Sequence, residues 1–222
     1  MDASIIQKIT VYAIPLIFAI TLHEAAHAYA ARYFGDSTAY MLGRMTLNPI
    51  KHIDPVWTLA IPLALLLMKS PFLFGAAKPV PVNFGGLRNP KRDMVWVAAA
   101  GPLANLAMMV AWAGLAKVAL ALGISAPSNF LILVAQAGIY VNALLMVFNL
   151  IPLLPLDGGR VLAGILPRGL ARVYDRHEPY GMFILIGLLA LDSVGVTNFF
   201  GALVWPLIEI SMKSIYAIIG LS

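Results

Sequence analysis

Long apolar runs, separated by short stretches rich in polar residues, proline and glycine, dominate this chain, and their lengths predict helices that cross a bilayer. The first run starts at Ile5 and continues to about Phe34, stopping at Gly35. Roughly 30 residues of helix rise about 45 Å, more than the ~30 Å of a hydrocarbon core, so this segment crosses the membrane and emerges. Two more long runs cover 94–122 and 130–150, and shorter ones at roughly 179–191 and 198–219 bring the expected spans to five. The run from Val56 to Met68 is different: at about 13 residues, with Pro62 inside it, it falls short of the ~20 that a span needs. It re-enters, lies obliquely or pairs with Phe72-Leu73-Phe74.

The polar stretches refine this outline. From Gly35 to Pro55 the density of Gly and Pro predicts a structured loop, in which His52 and Asp54 make turn and capping bonds. Between Ala76 and Asn83 proline alternates with valine, which forbids a helix and predicts a short extended or re-entrant segment near 72–88. Asn89-Pro90-Lys91-Arg92-Asp93 marks a membrane boundary, and Gly101-Pro102 interrupts the run that follows.

Composition agrees. The chain has 222 residues, 61% hydrophobic and only 11% charged, with a mean hydropathy of +0.87, too little polar surface to cover a soluble globule. The expected fold is an all-α polytopic membrane protein with about five to six transmembrane helices. It forms one domain over 1–222, with a core of about 5–165 and C-terminal helices at about 178–219. If the run from Met94 starts on the side where the first helix ends, 13 of the 15 basic residues fall on one side, leaving Lys8 and Lys117 on the other. By the positive-inside rule that side is cytoplasmic, so the net charge of +5 reports topology and lipid contact rather than nucleic-acid binding. The N-terminus, with Asp2 and a single early base at Lys8, lacks the form of a cleaved signal peptide.

Candidate chemistry sits inside the first run, at His23-Glu24-Ala25-Ala26-His27. Two histidines four apart fall on one helix face, where both imidazoles reach one metal ion, and the glutamate between them is placed to activate a water. His23 lies nine residues before Arg32, the first charge after the motif to reach the headgroups, so the motif is roughly 13 Å below that level by helix rise. Ionisable residues at that depth are expensive and usually functional. With no cysteine in the chain, any metal is held by His, Asp or Glu. A second constellation, Asn149-Leu150-Ile151-Pro152-Leu153-Leu154-Pro155-Leu156-Asp157-Gly158-Gly159-Arg160, ends the run at 130–150. An acid before two glycines is a common turn signal, but a two-histidine site also lacks a third protein ligand, which Asp157 supplies. Asn105 either packs helices or lines the active cavity. An extended stretch beside such a site either merely connects or pairs with substrate backbone, which makes Val80, Val82 and Asn83 candidate substrate-binding residues.

Together the His23-Glu24-Ala25-Ala26-His27 motif, the Asn149–Asp157 run, Ala77-Lys78-Pro79-Val80-Pro81-Val82-Asn83 and Gly101-Pro102-Leu103-Ala104-Asn105 resemble the site-2 protease family of intramembrane zinc metalloproteases. The likeness is to its compact prokaryotic members and covers about residues 15 to 165. The resemblance implies that His23, His27 and Asp157 bind one Zn2+, that Glu24 is the general base and acid, and that Asn149 holds substrate or the developing oxyanion. It further implies transmembrane proteins or peptides as substrates, contact with the lipid bilayer, no nucleic acid, and a multi-pass place in the plasma or inner membrane with the active-site opening on the cytoplasmic side. Homo-oligomerisation is compatible with the sequence and not specified by it. No insertion is long enough for the PDZ domain that many relatives carry. The rival reading is a metal-ion transporter or channel using the buried His and Asp, against which stands the lack of a second His-Glu-like segment in the C-terminal half. A catalytically silent chaperone on the same scaffold is a third reading, which the intact Glu24 argues against.

Overall fold

The computed structural model describes residues 5–61, 64, 77–124, 126 and 129–220, and among them the secondary structure is helical with no β-strand. Helix α1 runs Ile5–Tyr33, and Gly35, at φ 114°, turns the chain into the single helical turn α2, Thr38–Met41. After the loop come α3 (Pro90–Ala121) and α4 (Phe130–Asn149). The short α5 (Asp157–Ile165) and α6 (Arg168–Asp175) follow, then α7 (Glu178–Ser193) and α8 (Trp205–Ile219), which a π-helical turn at Phe200–Val204 precedes. Among the described residues four segments are long and apolar enough to cross a membrane: Ile9–Tyr33, Pro90–Ala121, Phe130–Asn149 and Phe200–Ile219. The chain is an all-α polytopic membrane protein.

Several expectations need adjusting. Among the described residues four segments reach spanning length, and α7, with 16 residues, rises about 24 Å. Of the short apolar element at 56–68, Pro55–Ala60 is a π-helical turn, and Phe72-Leu73-Phe74 lies outside the described residues. Gly101-Pro102 does not interrupt its run: α3 continues through Pro102. The helix also begins earlier than hydropathy alone predicts. Pro90 occupies the first turn, where its missing N–H costs nothing, and the Asp93 carboxylate accepts the Asn89 N–H at 2.7 Å. Asp157-Gly158-Gly159 is not a free turn but the first turn of α5, with both glycines buried. A Cβ on Gly159 would lie 2.5 Å from the Leu154 nitrogen, and one on Gly158 would strike the Leu150 carbonyl, so only glycine lets α5 seat against the bend at 150–156.

The core lies where α1, α3 and α4 cross. Along α1, Ala19, Ala25, Ala28 and Ala31 are buried at three- to six-residue steps, and along α3 Val97, Gly101, Asn105, Met108 and Met109 form the facing stripe. Small residues on both faces bring the backbones close, which is how helices pack in lipid, where burial of apolar surface drives little association. Large apolar residues such as Ile17, Phe18, Val118 and Phe183 stay on the exposed surface, as expected where the solvent is hydrocarbon. A second cluster, Met109, Ile139, Val204 and Ile208, packs α8 onto α3 and α4.

Candidate active site

Helix α1 carries His23 and His27 four residues apart, so both rings leave the same face toward α3. Their Nε2 atoms lie 3.1 Å apart. Asp157, delivered by the first turn of α5, brings Oδ2 to 3.2 Å from His23 Nε2 and Oδ1 to 3.4 Å from His27 Nε2. Two segments about 130 residues apart in sequence thus meet at one point, and among the described residues this is the one group of three metal-ligating side chains found together.

The donors fit a metal ion. Tetrahedral zinc with bonds of about 2.0–2.1 Å separates its ligand atoms by about 3.3 Å, and the three distances bracket that value. The far side of each ring fixes the near side. His23 Nδ1 faces Asn105 Oδ1 at 2.6 Å and His27 Nδ1 faces the Val97 carbonyl at 2.7 Å. Both partners only accept, so both Nδ1 atoms carry a proton, and in the neutral imidazole the lone pair falls to Nε2. With both rings neutral, two imidazole lone pairs and a carboxylate converge on one point, and Asp157 Oδ2 is buried without a hydrogen-bond partner. A cation resolves that arrangement. Space is reserved for it by Gly101: a Cβ there would sit 2.7 Å from His23 Nε2 and closer still to His27 Nε2.

Glu24 points to the other side of the cluster. Its Oε2 accepts the backbone N–H of Val80 at 2.8 Å, joining the middle residue of the motif to the extended stretch at 77–83. That stretch is tied down along its length: Lys78 N–H donates to the His52 carbonyl at 2.9 Å, Arg44 donates to the Lys78 carbonyl at 2.9 Å, and Asn83 N–H donates to Asp36 at 2.8 Å. A cavity of about 580 Å³ opens between this stretch and the helices, walled by His23, Glu24, His27, Val80, Val82, Phe84, Asn149, Asp157, Arg160 and Met182.

Of the residues singled out from sequence, His23, Glu24, His27, Asp157, Asn149, Val80 and Val82 therefore share one cavity wall. Two are placed elsewhere. Asn105 is fully buried behind the His23 ring rather than on the wall, because its carbonyl oxygen is committed to Nδ1. Asn83 caps the 3₁₀ turn Phe84–Gly86, its side chain accepting from Gly85 N–H at 3.1 Å. His52 and Asp54 serve the loop: His52 Nε2 lies 3.0 Å from the Thr46 carbonyl, and Asp54 accepts the Val56 N–H at 2.9 Å. Val97 carries no side-chain chemistry and has no signal beyond its place in an apolar run, and Gly101, though part of the Gly101–Asn105 stretch, has none for its closeness to the rings. Arg160, which donates to Glu178 at 3.1 Å and lies 5.0 Å over the Phe84 ring, closes the cavity rim.

Comparison with known proteins gives a consistent picture. The sequence profile of peptidase family M50 matches residues 113–191. The "Putative zinc metalloprotease YwhC" of Bacillus subtilis is 37% identical over 205 residues, which cover 91% of this chain and 87% of that protein. The "Putative zinc metalloprotease Rip2" of Mycolicibacterium smegmatis is 28% identical over 91% of this chain and 74% of its own length. Rip2 of Mycobacterium tuberculosis is 29% identical over 85% and 70%. No solved structure shows a significant match to the chain.

Proposed function

The chain belongs to peptidase family M50, and from that premise we propose that it is a zinc-dependent endopeptidase cutting membrane proteins in or near their transmembrane segments. One observation carries the reading: His23, His27 and Asp157 converge at metal-ligand distances on the cavity wall that also holds Glu24. Peptidase relatives favour hydrolysis over passage of an ion through the same residues, and the transport reading finds no support among them.

Zinc, when bound, lowers the pKa of a water ligand towards ~7 and polarises a carbonyl as a Lewis acid. His23 and His27 hold it through Nε2 and Asp157 through its carboxylate, a three-ligand set of the kind that leaves one position for chemistry. Glu24 takes the proton of the attacking water as the C–O bond forms, and returns it to the amine nitrogen as the C–N bond breaks. Until substrate enters, the Val80 N–H holds the Glu24 carboxylate in place. A substrate helix must unwind first, because its carbonyls are hydrogen-bonded within it. Val80 and Val82 then offer extended chain on the cavity wall, and Asn149 offers an amide beside it. On the same reading the substrates are transmembrane proteins or peptides, and the excess of basic residues in the loops supports an opening on the cytoplasmic side of the plasma or inner membrane.

The test is Glu24→Gln in proteoliposomes with a model transmembrane substrate. Zinc content should match wild type while cleavage falls about 10²–10⁴-fold. Undiminished turnover removes Glu24 as the base and the hydrolytic assignment with it.

A further inference from the structure

Asn142 has no part in the cavity, touches none of the three converging side chains, and is fully buried in α4. Its surroundings nevertheless determine a polarity that ends at the cluster. Asn142 Nδ2 donates to the Gly138 carbonyl at 2.8 Å. A backbone carbonyl only accepts, so the amide has one orientation, with Oδ1 turned toward Asn105. Asn105 Nδ2 donates to that oxygen at 2.9 Å and faces the Ala19 carbonyl at 3.5 Å, which leaves Asn105 Oδ1 for His23 Nδ1 at 2.6 Å. Amide orientation is ordinarily an assignment, but here flipping either group sets oxygen against oxygen at a backbone carbonyl. The two amides relay direction across α4, α3 and α1. His27 needs no relay, because the Val97 carbonyl orients it directly.

We propose that Asn142 is a positioning residue for the metal centre: through Asn105 it holds His23 in the tautomer that presents Nε2 to the ion. The proposal rests on the metal reading of His23, His27 and Asp157 given above. His23 has the breakable arm of the site, since a side-chain substitution one helix away removes its orientation, whereas none removes the Val97 carbonyl. Outer partners of ligating histidines typically set metal affinity by 10–100-fold.

The full-length protein in nanodiscs tests this by two measurements on wild type and Asn142→Leu. Histidine ¹⁵N NMR of the zinc-free protein reads the tautomer. Zinc competition against a chromophoric chelator reads affinity. In wild type His23 should show the Nδ1–H form. In Asn142→Leu the ring should populate both tautomers, and zinc should bind about 10–100-fold more weakly. Asn105→Asp in the same background should restore affinity, because a carboxylate accepts from Nδ1–H in either orientation. Should the leucine variant not fold, Asn142→Ser makes the same comparison, its shorter hydroxyl bonding the Gly138 carbonyl without reaching Asn105. Unchanged tautomer and affinity overturn the proposal, as does a loss that Asn105→Asp leaves in place, which would mark a packing defect. A wild-type chain that binds no zinc overturns the metal reading instead, and the NMR signature still decides the relay.

Discussion

The two walls of the cavity are built differently. The inner wall is three long helices packed through alanine and glycine, and it fixes both histidines by atoms that are fully buried: the Val97 carbonyl, Asn105 and, behind it, Asn142. The outer wall is extended chain at 77–83, a loop, and α7, most of whose large apolar residues are exposed. It reaches Glu24 by one hydrogen bond, from Val80. On the proposed reading, the metal-holding atoms are thus over-determined and the proton-carrying one is not. A metal ligand gains from immobility, since any displacement loses bond energy. A base that must meet both a water and a departing amine needs a tether that yields when substrate enters between the walls.

The strongest way to break this comparison is to remove the point where the inner wall meets α5. Asp157→Ala leaves the two histidines oriented but takes away the only anion among the three ligands, and should cut zinc affinity by well over the roughly 10–100-fold typical of an outer partner. Full zinc occupancy by elemental analysis would place Asp157 outside the metal's ligands. A smaller change probes the same wall without touching a ligand. Gly101→Ala pushes a methyl against both Nε2 atoms, an overpacking worth about 1–3 kcal/mol, or roughly five- to 150-fold in zinc affinity. The helical signal of α3 should survive, since alanine is the better helix former. Wild-type zinc affinity in that variant would show that the walls are softer than their packing implies.

How much of this the sequence discloses follows the same division. His23, Glu24 and His27 are legible because one helix supplies all three, and helical periodicity is a local property. Asp157 is legible because a proline-broken stretch at membrane depth needs a reason and a two-histidine site needs a ligand. Gly101, Val97 and Asn142 are not legible: a glycine, a valine and an asparagine in apolar runs look like packing until α3 and α4 are laid across α1. Asn105 was visible as a polar group at depth, but only the crossing shows that it stands behind a ring instead of on the cavity wall. The bond from Val80 to Glu24 is a backbone interaction, to which side-chain identity is nearly blind. The exact bounds of α7 are not legible, because hydropathy registers apolar length and not where a helix ends.

The smallest expected effect is the sharpest on the outer wall. In Pro79-Val80-Pro81 both neighbours lack an N–H, so Val80 owns the only backbone donor of the three, and that donor is spent on Glu24. Val80→Pro deletes it in a segment already shaped by proline. A hydrogen bond to a charged group contributes about 1.5 kcal/mol or more, so turnover should fall roughly tenfold while zinc content stays at the wild-type value. Val80→Ala is the control. It keeps the donor and trims the valine's packing in the cluster with Ala28, Ala39 and Met45 and its side chain on the cavity wall, so its turnover should stay near wild type. If the two variants lose activity equally, the valine side chain matters and the N–H does not, and the tether must be sought in substrate itself. If proline alone is slow, the stretch that lies ready to receive substrate also holds the base, and an incoming strand that draws on Val80 would release Glu24 at the moment the bond to be cut arrives.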